Sequence, residues 1–151
     1  MPSAAETGDA FGSSVSLGDV NGDGYADLAV GVPGESTDHA TTTGAVTLLY
    51  GSASGLTTKG AKNWTQNSPG VPDTEGRRDR FGGRVSLTDH TGDGLADLTV
   101  SAPGKNNGAG AVWFLRSTTS GPSTTGATAF GPATTGVSTA GTPGYGTVLN
   151  G

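Results

Sequence analysis

A chain of 151 residues has room for one ordinary domain, yet only 32% of it is hydrophobic and 28 residues are glycine, so a conventional two-layer core would be thin. Charged residues make up only 14%, too few for charge-driven disorder, and the lack of cysteine excludes disulfides and thiolate metal sites. The formal charge of −5 comes from 13 acids against 8 bases, but six of the acids sit in two short loops, which leaves 7 acids to 8 bases elsewhere. Divalent ions in those loops would make the chain nearly neutral, so neither an acidic surface for basic partners nor a basic stripe for nucleic acid is left over. No apolar run approaches the roughly 18 residues of a membrane span. Met1-Pro2-Ser3 has no signal-peptide character, so for a secreted protein the signal is expected to have been removed or to lie outside this stretch.

In chain order, residues 13–17 alternate polar and apolar, which suits a half-buried strand. The loop Asp19-Val20-Asn21-Gly22-Asp23-Gly24-Tyr25-Ala26-Asp27 then turns the chain into a second strand, 28–32, which Pro33-Gly34 ends. A polar loop follows, then a strand at 44–50, a turn at 51–55 and a short fourth strand at 62–66. The plan repeats at an offset of 70 residues, which pairs Phe11-Gly12 with Phe81-Gly82, Val15-Ser16-Leu17 with Val85-Ser86-Leu87, and Pro33-Gly34 with Pro103-Gly104. Strands are expected at 82–87, 98–101, 110–115 and 127–130, and residues 143–149 echo 79–85 as the opening of a third repeat. The expected class is all-β, with repeat boundaries at 1–78, 79–142 and 143–151 and four antiparallel strands in each whole repeat.

The first loop returns as Asp89-His90-Thr91-Gly92-Asp93-Gly94-Leu95-Ala96-Asp97. Three carboxylates at positions 1, 5 and 9 of nine residues repel one another unless a cation sits among them, and a hard, oxygen-liganded ion, Ca2+ above all, suits that set. The spacing argues against an EF-hand or dockerin-like site, since the bidentate Glu that an EF-hand needs at position 12 is here Val30 or Val100 and the flanks read as strands. The plain alternative is a pair of Asp/Gly turns without an ion, but a turn has no use for three acids at that spacing.

Phe11-Gly12, the Asp19 to Asp27 loop and Gly31-Val32-Pro33-Gly34 together resemble the FG-GAP repeat, the blade unit of the integrin alpha-subunit β-propeller and of many secreted bacterial proteins. The resemblance implies β-propeller blades: two four-stranded antiparallel blades plus the first strand of a third repeat. It also implies a structural Ca2+ in each loop, held by Asp19, Asn21, Asp23, Asp27 and the carbonyl of Tyr25, and by Asp89, Thr91, Asp93, Asp97 and the carbonyl of Leu95. Thr91 departs from the pattern, its hydroxyl being a poorer ligand than the Asn21 amide, so the second site is expected to be weaker.

Catalysis has little to build on: there is no G-x-S-x-G element, and the only histidines are His39, in a polar loop, and His90, expected to face solvent. Trp64 and Trp113 read as packing residues ahead of a ligand platform, Arg77, Arg78 and Arg80 as a solvated face, and Asn63-Trp64-Thr65 fits a glycosylation acceptor. The expected role is a non-catalytic, extracellular, Ca2+-stabilised propeller module for adhesion or binding of a protein or glycan. The alternatives are an accessory propeller of a secreted hydrolase and a purely structural assembly unit. Two blades alone leave sheet faces open, so a larger propeller is expected, of which this chain is a part; self-association of three or four copies gives six or eight blades.

Overall fold

The computed structural model describes residues 5–149. Each repeat forms its own antiparallel sheet. The first holds β1 (Ser14–Gly18), β2 (Asp27–Val32), β3 (Ala45–Tyr50) and β4 (Thr57–Trp64), hydrogen-bonded in that order. The second begins with β5 (Arg84–Thr88) and β6 (Asp97–Ala102), passes a one-turn segment α1 (Lys105–Gly108) and continues with β7 (Ala111–Leu115). A two-residue pair, β8 (Ser117–Thr118) and β9 (Gly121–Pro122), precedes β10 (Thr128–Phe130), and the sheet order is β10-β7-β6-β5. One further turn, α2 (Pro132–Thr135), follows. The fold is all-β, built of two propeller-type blades.

The repeat seen in the sequence is a repeat of register. Val15 pairs with Val30 and Leu17 with Leu28 in the first blade, and Val85 pairs with Val100 and Leu87 with Leu98 in the second. Alternation in β1 sends Ser14 and Ser16 to one face and Val15 and Leu17 to the other. The serine face meets the second blade, where the Ser14 and Ser16 hydroxyls accept hydrogen bonds from the backbone N–H groups of Val85 (3.0 Å) and Leu87 (2.9 Å). These donors lie on β5, the edge strand of its sheet, so the serines satisfy N–H groups that have no ladder partner on that side.

Between the blades lies one apolar core. Ala29, Val46, Leu48 and Trp64 come from the first sheet; Phe81, Val85, Leu87, Leu98, Val100, Trp113 and Leu115 come from the second repeat. Phe81 and Trp113 meet edge-to-face with centroids 5.3 Å apart, and the Trp113 indole N–H donates to the Pro72 carbonyl (2.9 Å). Both tryptophans are therefore packing residues. The same positions in the first repeat have no such cover: Phe11, Val15 and Leu17 are 64, 58 and 62% exposed, whereas Phe81, Val85 and Leu87 are 0, 6 and 7% exposed.

Each repeat also opens by docking on its predecessor. Phe81 makes a single parallel bridge with Gly44, its N–H donating to the Thr43 carbonyl, and Tyr145 makes the same bridge with Gly110, donating to Ala109. Gly44 and Gly110 have φ of 88° and 82°, and a Cβ on either would fall 2.1 or 2.2 Å from the Phe81 or Tyr145 carbonyl oxygen, so only glycine fits there.

Three details differ from the sequence reading. The fourth strand runs Thr57–Trp64 rather than 62–66, because its first half is a polar, largely exposed outer edge with no alternation to reveal it, joined to β3 across a register shift between Leu48 and Tyr50. The opening strand of the third repeat is, over residues 143–149, the Tyr145 bridge alone, since no antiparallel neighbour pairs with it there; residues 150–151 lie outside the described residues. The β8–β9 pair and the two short turns were not anticipated; in α1, Asn106 and Asn107 take left-handed backbone angles, which asparagine tolerates better than most residues.

Candidate metal-binding loops

Both Asp loops join the first two strands of a blade, and both use glycine to close tightly. Gly22 and Gly24 have φ of 78° and 85°, and Gly92 and Gly94 have 74° and 88°. That left-handed backbone turns the loop's N–H groups inward onto the leading carboxylate. Gly22 and Gly24 donate to the two oxygens of Asp19 (2.7 and 2.8 Å), and Gly92 and Gly94 to those of Asp89 (2.6 and 2.9 Å). These bonds favour the charged form: in Asp19 they outweigh the upward pull of desolvation, and in Asp89 they lead, so both carboxyls titrate below the usual range.

The closing carboxylates are fully buried clasps. Asp27 accepts from Val20 (2.8 Å) at the loop's start and from Gly51 (2.8 Å) after β3; Asp97 accepts from His90 (3.0 Å), Thr91 (3.2 Å) and Ser117 (2.8 Å). Desolvation pushes the Asp27 carboxyl up; the Gly51 and Val20 bonds oppose this, while the charges of Asp23 and Asp19 add to it. Negative charge is thus crowded in the first loop, and among the described residues none of its three carboxylates has an ion-pair partner.

The middle carboxylates differ. Asp23 accepts from the Tyr25 N–H (2.9 Å) and the Asn21 amide (3.0 Å). Asp93 accepts from Leu95 (3.1 Å) and forms an ion pair with Arg116 at 2.9 Å, and that hydrogen bond is the leading cause holding its carboxyl below the usual range. His90 is exposed, as expected, with its ring edge-on to Phe114 at 6.0 Å.

As the side chains stand, no three Asp, Glu, His or Cys groups among the described residues converge to metal-binding distance; each loop carboxylate turns to N–H donors instead. The donor chemistry of the first loop still suits a hard cation, with three carboxylates, one amide oxygen, unused lone pairs and no basic partner among the described residues. The second loop suits it less well. Arg116, Gly51 and Ser117 escaped the sequence reading because they lie after the third strand, where the spacing between repeats has fallen from 70 to 66: Gly44 matches Gly110, and Tyr50 matches Arg116.

Away from the loops, a buried polar knot ties the second blade to the segment before it. The Lys105 ammonium donates to Asp79 (3.0 Å) and to the Thr74 carbonyl, and lies 3.4 Å from Asp73, while Gln66 and the Gly76 N–H also donate to Asp79. Arg77, Arg78 and Arg80 beside it are solvent-exposed.

Comparison with known proteins agrees with this geometry. The FG-GAP repeat matches residues 11–49 and 81–115, the two stretches from the opening aromatic through the third strand. The chain carries two FG-GAP repeats. It is also similar to phosphatidylinositol-glycan-specific phospholipase D of Bos taurus, 36% identical over 93 residues, covering 62% of this chain and 11% of that protein. The mouse protein (Mus musculus) of the same name is 36% identical over 90 residues, covering 60% and 10%; that of Dictyostelium discoideum is 28% identical over 103 residues, covering 64% and 11%. The chain thus matches about a tenth of the length of these relatives.

Proposed function

We propose that this chain is a non-catalytic pair of FG-GAP blades, fastened by Ca2+, that works as part of a larger extracellular propeller. The observation that carries this reading is the uncovered face of the first blade. Phe11, Val15 and Leu17 occupy the positions that, one repeat later, are buried against a neighbouring blade. Beside them lies a hollow of about 750 Å3 lined in part by Phe11, Val32, Ala45 and Thr47. Thr47 stands where the second repeat has Trp113, so nothing from its own sheet fills the space an indole fills in the other blade. The opposite end of the chain offers the matching half, with Ser86, Val112 and Phe114 at the positions of Ser16, Val46 and Leu48. A head-to-tail ring of three or four copies, six or eight blades, uses both halves.

Calcium belongs to this reading as a fastener. Asp19, Asn21, Asp23, Asp27 and the Tyr25 carbonyl would hold the ion in the first loop, supplying oxygen ligands and relieving the repulsion among three carboxylates. An ion there ties β1 to β2 and gives the hairpin folding energy its small core does not supply. Sites of modest affinity fill where calcium is millimolar, which favours an extracellular setting.

A second reading, that these blades accompany a catalytic domain elsewhere in a longer protein, is favoured by the names of the relatives. It is compatible with the first, because an accessory propeller is itself a ring of blades. Light scattering in calcium tests self-association: a ring of three or four copies is expected, and a folded monomer at every concentration would sink it. The non-catalytic reading fails if the purified chain hydrolyses phosphatidylinositol-glycan substrates.

A further inference from the structure

We propose that the chain binds one calcium ion, in the loop from Asp19 to Asp27, and that in the loop from Asp89 to Asp97 Arg116 stands in for the cation. The inference rests on the calcium reading of the first loop and concerns what sets the two loops apart.

The repeats align through their docking glycines, Gly44 and Gly110, which places Tyr50 of the first blade at the position of Arg116 in the second. Tyr50 carries no positive charge, and its hydroxyl donates away from the loop to the Ser120 carbonyl (3.1 Å). Arg116 donates into its loop, Nη2 to Oδ2 of Asp93 at 2.9 Å. The other oxygen of Asp93 accepts the Leu95 N–H, and the Thr91 hydroxyl stands at the position of the Asn21 amide. That hydroxyl is a poorer ligand for a hard cation than an amide oxygen. In the first loop the Asn21 side-chain oxygen accepts only a backbone N–H, from Asp23 (3.0 Å), and keeps a lone pair for an ion.

Charge count separates the loops further. The first presents three carboxylates with no ion-pair partner among the described residues, and the second presents three against one guanidinium. The Arg116–Asp93 pair is exposed, with the arginine side chain 61% accessible, so its own strength is small and a divalent ion could part it. Parting it does not remove the arginine, whose position at the end of β7 keeps a positive charge beside the site. Calcium affinity in oxygen-liganded loops follows the number of charged ligands and the rigidity of the site, and the second loop is poorer in net charge and in one ligand.

Isothermal titration of the whole chain with CaCl2 after chelation tests this, with melting curves in chelator confirming that each variant folds. One ion per chain is expected for the unaltered protein, none for Asp23→Asn, and two for Arg116→Gln, the second at least about tenfold weaker because Thr91 remains. Both substitutions fall on solvent-facing side chains. Two ions of similar affinity in the unaltered chain would overturn the inference while leaving the calcium reading intact. Binding that stays at one ion in Arg116→Gln would overturn the role given to Arg116, and no binding at all would remove the calcium reading with everything built on it.

Discussion

The first blade and the second present the same residues to different neighbours. Phe11, Val15 and Leu17 face solvent, while Phe81, Val85 and Leu87 are sealed against the first blade. Their strands pair in the same register, so neither residue type nor local conformation accounts for the difference. Place in the array does. A blade makes its own hydrogen-bonded sheet but only half of its core, and the preceding unit supplies the other half. The serines of β1 show how specific that half is: two hydroxyls at alternate positions meet two N–H groups at alternate positions, a match only a strand in this register can offer.

The largest effect is expected where the contrast between blades is greatest. Phe81→Ala removes a fully buried ring and its contact with Trp113, and should cost about 3–5 kcal/mol in denaturant unfolding. Phe11→Ala in the monomeric chain should fall within about 0.5 kcal/mol of the unaltered protein. Equal losses at the two positions would mean that the first blade's face is covered in solution, which light scattering would then show as assembly.

Next comes the polar knot around Lys105, a position that Glu35 holds in the first blade. Lys105→Ala leaves Asp79 buried with two N–H donors and no cation. A loss of about 3 kcal/mol is expected in the same unfolding measurement, the penalty being mostly that of a stranded buried charge. Lys105→Met together with Asp79→Leu, which removes both charges, should recover most of it. If the double variant is as unstable as the single one, packing around residue 105 rather than charge is responsible.

Much of the plan was legible in the sequence because FG-GAP blades write their architecture in short-range signals. The 70-residue offset, the alternation of β1 and β5, and the glycines of the two loops each reflect a local steric or periodic constraint, and the structure places β1, β2, β3, β5, β6 and β7 within two residues of expectation. Less legible was whatever depends on distant parts of the chain. Asp27 and Asp97 could be picked as candidate ligands, but their clasping of Gly51 and Ser117 depends on where the chain returns after the third strand. Arg116 was hidden for the same reason. Strand β4 was blurred at its polar edge, and Lys105, a lone cation in a Gly/Asn loop, gave no sign that it is buried. The exposed face of the first blade could be anticipated only in general terms, as the incompleteness of any two-blade array.

The smallest expected effect probes the contact that distinguishes blade pairing from apolar adhesion. Ser14→Ala and Ser16→Ala each leave one backbone N–H of β5 without its acceptor, at a cost of about 1–2 kcal/mol apiece. Hydrogen exchange reads the change at the amide concerned: Val85 should lose protection in the first variant and Leu87 in the second, while the amides of β6 and β7 hold theirs. Leu17, the matching amide on the open face of the first blade, should exchange quickly in the monomer and slow down as the chain is concentrated and the Ser86 hydroxyl of a neighbouring copy reaches it, whereas Val15 gains no such acceptor because Arg84 stands at the position of Ser14. Protection of Val15 and Leu17 that is already high at the lowest concentration would dissolve the comparison between the two blades, since their N–H groups would then be satisfied within a single chain.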